Sequence, residues 1–315
     1  MDLKQLKTFI RVSDAGSLSS AADRLRIAQS ALSRQIKLLE TEVGAPLFDR
    51  HARGMSLTFH GQELYKRISP LIRQFEQSID DVRSLGETIT GHVSFGLMPT
   101  TSAKLADRLV SRVAQEQPGI FLRLVEGYAG HLVEWLQRDE IDGTLLYGPA
   151  DSLHLRATPL FTEDLALISP AIWPEQVGVP VKFESAAALP LALPSQSHGL
   201  RSVVEVAARK ADCHLNVCAE GDSFRVLKSL VLRGLYHTIL PFSAVQEEAE
   251  AGLVKTNPLT RPNVTRQIVL ARPSHRADTI ATQAVVNILL DEIAAMIRTR
   301  DWVALPEEYL LQRNL

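Results

Sequence analysis

The chain has 315 residues, of which 45% are hydrophobic and 22% charged, and a formal net charge of −2. At roughly 100–200 residues per domain that length excludes a single minimal module, and the apolar content excludes an intrinsically disordered chain. Its two cysteines, Cys213 and Cys218, exclude a disulfide framework and a four-cysteine zinc site, and fit a reducing compartment.

The balance of charge is uneven along the chain. Residues 1–60 hold nine Lys or Arg against six Asp or Glu, and the region from residue 89 onward is net acidic. The positive end is therefore N-terminal, where a nucleic-acid module could use it. Met1 is followed by Asp2, Lys4 and Lys7 in an amphipathic pattern, unlike a secretory leader. The longest apolar stretches are interrupted by Arg, Glu or Pro, so no membrane span is expected and the protein should work in the cytoplasm.

Leu3, Leu6, Phe9, Ile10 and Val12 recur at helical spacing up to Asp14-Ala15-Gly16. Ser17 stands where its hydroxyl can cap a second helix whose inner face is Leu18, Ala21, Ala22 and Leu25. After the short turn Arg26-Ile27-Ala28, a third stripe of Ala31, Leu32, Ile36, Leu39 and Val43 ends at Gly44. Two helices joined by a tight turn, with alanines where backbones must approach, describe a helix-turn-helix. Pro46 to Thr58, with Arg50, Arg53 and Gly54, reads as a two-stranded wing, so that residues 1–59 form one domain. The third helix carries Gln29, Ser30, Ser33, Arg34 and Lys37 on the side opposite its apolar stripe. Gln, Ser and Arg can read base edges in a major groove, and Lys37 can hold a phosphate.

From about His60 to residue 88 the apolar spacing averages near 3.5 residues through Leu64, Ile68, Leu71, Phe75, Ile79, Val82 and Leu85. That is a coiled-coil seam, and its natural partner is the same helix of a second chain. Pro70 predicts a bend in it. Beyond Gly91, short strand-like runs alternate with helices, which predicts an α/β region with a mainly parallel sheet over residues 91–300. The strands are expected at 93–97, 121–125, 143–147, 165–168, 191–193, 215–219, 238–240 and 267–270. The helices are expected at 101–116, 130–138, 200–211, 223–233, 242–249 and 277–299. Residues 301–315 follow as a C-terminal extension with Trp302, Leu305, Tyr309 and Leu310, able to pack on the core or reach a neighbouring subunit.

The run Gly16-Ser17, Ala21-Ala22, Leu25, Gln29, Ser33, Ile36, Leu39-Glu40, Gly44, Leu47-Phe48, Arg50, Arg53, Leu57-Thr58 and Gly61 resembles the N-terminal signature of LysR-type transcriptional regulators. The resemblance implies a multidomain chain: an all-α winged helix-turn-helix, a long dimerising linker helix, and an α/β effector domain like periplasmic solute-binding proteins. That effector domain would have two subdomains, I at 91–161 and 265–300, and II at 162–264. Leu193 to Arg201 is similar to a stretch in the nitrogen-assimilation-control branch. Carried over by position, the resemblance implies base-edge contacts from Gln29, Ser30, Ser33 and Arg34, with Arg50 and Arg53 meeting the DNA backbone or minor groove.

Met98-Pro99-Thr100-Thr101-Ser102 follows a strand and opens a helix, an arrangement suited to an anion or to simple capping. The resemblance favours the ligand, a small and anionic effector, and places it against Pro99, Thr100, Thr101, Ser102, Tyr128, Ala129 and Gly130, with Ser195, His198 and Arg201 approaching from the other subdomain. Ala129 occupies a position often held by Ser or Thr. Tyr236 replaces a glycine in Gly234 to Pro241, which predicts a narrower cleft. The implied partners are double-stranded DNA, the effector, RNA polymerase and further copies of the chain, as a homodimer and then a homotetramer. No cofactor, metal site or enzymatic activity is expected: no nucleophile elbow, phosphate loop or HExxH run occurs. The competing class is an enzyme or solute-binding module in which residues 1–88 merely mediate association; it predicts no salt-sensitive retention of duplex DNA.

Overall fold

A computed structural model describes residues 1–51, 54–83, 88–148, 155–196 and 198–312. The chain forms two compact units, Met1–Arg83 and Ser84–Leu315.

In the first unit, α1 (Leu3–Ala15) starts with a reciprocal capping box between Asp2 and Gln5 and ends at Gly16 in the left-handed conformation. Ser17 caps α2 (Leu18–Leu25) by accepting from the Ser20 amide. Arg26, also left-handed, turns the chain into α3 (Gln29–Val43). Phe9, Val12, Leu18, Ala21, Leu32, Ile36, Leu39 and Leu47 make the core. The wing is an antiparallel pair, β1 (Phe48–His51) and β2 (Gly54–Leu57). It is fastened at two points. The Glu40 carboxylate accepts the Leu47 and Phe48 amides at 2.8 and 3.3 Å, and the Met55 amide donates to the Gly16 carbonyl at 2.8 Å.

Helix α4 (Phe59–Arg83) runs through Pro70. Gly61 in its first turn lets it pass the wing, because a Cβ there would lie 2.1 Å from the Leu47 carbonyl oxygen. The expected seam divides in two. Leu64 and Tyr65 pack on the head and Ile72 is buried, whereas Leu71, Phe75, Ile79 and Val82 are exposed; Leu85 lies outside the described residues. The Tyr65 hydroxyl donates to Asp14 at 2.6 Å, tying α4 to α1, and burial with the Asp14 bond pushes its pKa up to about 12.

In the second unit the order is β3 (Gly91–Leu97), α5 (Pro99–Glu116), β4 (Ile120–Glu126), α6 (Ala129–Gln137), β5 (Gly143–Tyr147) and β6 (Leu155–Pro170). Then come β7 (Val181–Lys182), α7 (Phe183–Ala187), β8 (Leu191–Leu193), α8 (Gly199–Lys210), β9 (Val217–Glu220), α9 (Phe224–Leu232), β10 (Thr238–Pro241) and a 3-10 turn at Phe242–Ala244. The chain closes with α10 (Gln246–Glu250), β11 (Val254–Thr260), β12 (Thr265–Pro273), α11 (Ile280–Arg298), β13 (Leu305–Pro306) and α12 (Glu308–Leu311).

The main sheet is mixed, not mainly parallel. Strands β4, β3 and β5 are parallel, but β12 is antiparallel to both β5 and β6, and β10 and β11 are antiparallel to β6. The reason is that β6, 16 residues long, and the β11–β12 segment pass in opposite directions through both halves of the unit. Two cores result. One holds residues of β3–β5, α5, α6, β12 and α11; the other holds residues of α7–α9, β8, β10 and the C-terminal end of β6. Trp302 and Leu310 belong to the first core, so the C-terminal segment packs on its own chain, and β13 pairs with β6. Helix α11 is apolar and long enough to cross a membrane by length and composition, with a mean hydropathy of 1.6, in contrast to the sequence expectation. Eleven of its residues are buried, as befits a core helix.

Candidate nucleic-acid interface and ligand cleft

On α3, Leu32, Ile36 and Leu39 are buried, and the opposite side presents Gln29, Ser30, Arg34 and Lys37 to solvent with Ser33 half-buried. The expected polar face is therefore one outward surface. Among the described residues neither Arg34 nor Lys37 forms a salt bridge. Ala28 provides no side-chain cap to α3, and the Ala31 amide turns back onto the Ala28 carbonyl at 2.9 Å. Arg50 contributes backbone pairing with Met55 in the wing; Arg53 lies outside the described residues.

In the second unit, four helix starts converge on one cavity: Met98-Pro99-Thr100 of α5, Tyr128-Ala129-Gly130 of α6, His198-Gly199-Leu200 of α8, and Asp222 with Phe224 of α9. It measures about 70 Å3, the scale of a few waters or of a carboxylate of few atoms. The starts of α5, α6 and α9 have no side-chain cap, and Pro99, the first residue of α5, has no N–H, so that any first-turn donors there begin at Thr100. The fourth is capped by the His198 ring, whose Nδ1 accepts from the Leu200 amide at 3.1 Å. Each helix start contributes positive potential. The opposing charge at the rim is Asp222, kept below the usual carboxylate range chiefly by hydrogen bonds from the Ser195 side chain and amide. Burial lowers the His198 pKa, partly offset by Asp222 and reinforced by Arg266. The two sides of the cleft meet where the Tyr128 hydroxyl donates to the Asp222 carbonyl at 2.7 Å and the Tyr128 and His198 rings pack edge to face.

Pro99, Thr100, Tyr128, Ala129, Gly130 and His198 all line this cavity. Thr101, Ser102, Ser195 and Arg201 do not. Thr101 is buried with its hydroxyl on the Met98 carbonyl, Ser102 follows on the next face of α5, and Ser195 serves Asp222. Arg201 is held away by Glu205 at 2.7 Å, Glu220 at 3.2 Å and the Pro194 carbonyl at 3.0 Å, and so fastens α8 to its own subdomain. Tyr236 packs in the second core and does not narrow the cleft; from that stretch Leu240 reaches it.

Sequence reasoning missed Tyr147 and what stands behind it. The Tyr147 hydroxyl lies 3.0 Å from Thr100 Oγ1, and the Arg266 guanidinium sits 4.2 Å over the Tyr147 ring while donating to Thr100 Oγ1 at 3.2 Å. Arg266 and Glu163 form an ion pair with side chains 0% and 2% exposed. Burial is the largest single influence and lowers the guanidinium's pKa, but the charge and hydrogen bonding of Glu163 and Tyr147 together outweigh it and hold it above the ordinary arginine value. Glu163 also accepts from Ser243 at 2.9 Å and from the Trp302 indole at 3.2 Å. Arg266 Nη1 is buried without a partner, a state that costs about 1–3 kcal/mol.

Among the described residues no group of His, Cys, Asp and Glu could hold a metal ion. Cys213 is half-buried and Cys218 exposed, both free. Burial, Glu184 and Asp212 push the Cys213 thiol up, the reverse of a reactive thiolate.

Two family models match the chain. Residues 3–62 match the bacterial regulatory helix-turn-helix protein, lysR family, and residues 86–294 match the LysR substrate binding domain. The nitrogen assimilation regulatory protein nac of Klebsiella aerogenes is 30% identical over 295 residues, 93% of this chain and 96% of that protein. Among solved structures, a full-length OxyR variant from Pseudomonas aeruginosa superposes with a TM-score of 0.72 at 22% identity, covering 93% of this chain and 94% of that one. Full-length CbnR in complex with its target DNA gives 0.68 at 19% identity, covering 92% and 98%.

Proposed function

The chain belongs to the LysR family of bacterial helix-turn-helix regulatory proteins, and from that premise we propose how this DNA-binding transcriptional regulator reads DNA and what it senses. Its curated relatives are regulators, not enzymes. Gln29, Ser30, Ser33 and Arg34 read base edges in a major groove, and Lys37, Arg50 and Arg53 hold the sugar–phosphate backbone. The exposed stripe Leu71, Phe75, Ile79 and Val82 pairs two α4 helices, so that two heads meet successive half-sites of a partly palindromic operator. Two such dimers associate into a tetramer in the cytoplasm, where RNA polymerase is the further partner.

The effector is a small anion. One observation carries this: four helix starts, three of them uncapped, surround a single cavity of about 70 Å3. A ligand there touches both subdomains and biases the regulator between states of different DNA affinity, provided it binds one state more tightly.

The DNA part is tested by retention of duplex DNA over a salt series. Arg34→Ala should relax base preference, costing about 1–3 kcal/mol at one position, and Lys37→Ala should weaken all sequences evenly while lowering the salt slope by about one. An unchanged footprint for both variants rejects the placement of α3. The effector part is tested by melting the protein with two- to six-carbon carboxylates and their neutral amides. Stabilisation by amides as large as that by acids would reject an anionic ligand.

A further inference from the structure

Arg266 lies one layer behind the cleft and lines none of it, yet it has no route to solvent and one nitrogen without an acceptor. Its contacts with the cleft wall are the Thr100 hydroxyl and the Tyr147 ring, both of residues that line the cavity. A guanidinium has donors only. Thr100 Oγ1 must therefore accept from Arg266, and its own proton turns either to the Tyr147 oxygen, 3.0 Å away, or to the cavity. If it turns to Tyr147, the Tyr147 proton is released instead. In both arrangements the pair keeps one hydroxyl proton to offer, and the charge behind it favours an acceptor bearing negative charge. Glu163 neutralises Arg266 behind the cleft, while also accepting from Ser243 of the second subdomain and Trp302 of the C-terminal segment.

We propose that Arg266 is the positioning residue that makes the cleft prefer carboxylates over neutral analogues, acting through Thr100 and Tyr147, with Glu163 as the counter-charge that a bound anion partly replaces. This rests on the reading of the cleft as a site for a small anion. An anion near Thr100 draws on the same guanidinium that Glu163 holds. Occupancy is thereby felt at the acceptor that joins the crossover strand β6 to the 3-10 turn and to Trp302.

The test uses the full chain, with propionate and propionamide as probes of equal size and different charge, measured by ligand-observed NMR and by melting. The wild type should prefer propionate. Arg266→Gln should lose about tenfold of that preference, the worth of one charge-assisted hydrogen bond, with propionamide binding unchanged, and Arg266→Lys should restore part of it. Glu163→Gln, which leaves the guanidinium uncompensated, should prefer propionate more strongly than the wild type and gain more melting temperature from it. Folded Arg266→Gln protein with the wild-type ratio overturns the proposal. Should that variant fail to fold, a Glu163→Gln ratio equal to or below the wild type overturns it alone. A wild type indifferent to charge overturns the anionic reading of the cleft itself, whatever the variants do.

Discussion

Trp302 offers the sharpest test of how the second unit is held together. It is 1% exposed, its ring lies 4.8 Å from Phe161 in an edge-to-face arrangement, and its indole N–H reaches Glu163. Trp302→Ala removes this buried aromatic and should cost about 3–5 kcal/mol. Trp302→Phe keeps most of the packing and loses the N–H bond. Since Glu163 retains Arg266 and Ser243, no acceptor is stranded, and the cost should be about 1–2 kcal/mol. In a unit of this size 1 kcal/mol corresponds to roughly 2–4 °C. The alanine variant should then melt roughly 6–20 °C low and the phenylalanine variant roughly 2–8 °C low. Calorimetry on the full chain, with DNA retention as a separate readout of the head, makes the measurement. Two variants melting together within about 2 °C of the wild type would show that the C-terminal segment only rests on the surface.

Leu71→Ala combined with Phe75→Ala should shift the sedimentation of the full chain toward the monomer, because these exposed apolar side chains are the surface assigned to pairing; an intact assembly would remove α4 as the dimeriser. Gly61→Ala would ordinarily gain about 1 kcal/mol of helix propensity. Here the added Cβ meets the Leu47 carbonyl oxygen at 2.1 Å and Leu57 at 3.0 Å, so the head should lose about 1–3 kcal/mol in urea unfolding. Burial lowers the pKa of both His198 and His237, so the unfolded chain takes up protons more readily than the native one. Their contribution is complete above about pH 6.5 and is lost as the pH falls through and below that value. A melting temperature of the second unit that rose on acidification from about pH 7.5 to about pH 5.5 would contradict this.

The head was legible because its signals are local. Ser17, Gly16 and Gly44 sit at helix ends where capping requires them, and the apolar stripes match the buried faces. The α/β unit was legible where a strand or helix is uniform and illegible where function of position changes within one element. Strand β6 showed only its apolar end in the sequence, since Leu155 to Asp164 includes Pro159 and the inward-facing Glu163. Strand β11 was missed because Asn257 and Pro258 argue against a strand. Asn257 is buried there because its amide donates to the Gln176 and Val179 carbonyls, a demand set by a distant loop. The five-residue α7 is too short for periodicity to reveal, and the segment from Phe242 divides at Val245, where the extended helix expected there is interrupted.

The cleft divides along the same line. Its helix starts are contiguous motifs, so Pro99, Thr100, Tyr128, Ala129, Gly130 and His198 could be named from the chain alone. What sets the charge beneath them is a pair 103 residues apart. Read singly, Glu163 and Arg266 are two of many charges in strand-like runs; together they are buried, mutually compensated, and joined to the cavity through Thr100 and Tyr147. Arg201 shows the converse. It lies near the cleft in sequence, three residues after the capping His198, yet three acceptors of its own subdomain already engage it. Adjacency in sequence thus identifies which helix starts line the cavity, whereas the charge beneath it depends on which buried charges retain unsatisfied donors. Arg266 retains one and Arg201 is engaged by its neighbours, which is why the charge preference of the cleft should follow substitutions at residue 266 and be indifferent to those at residue 201 that preserve the fold.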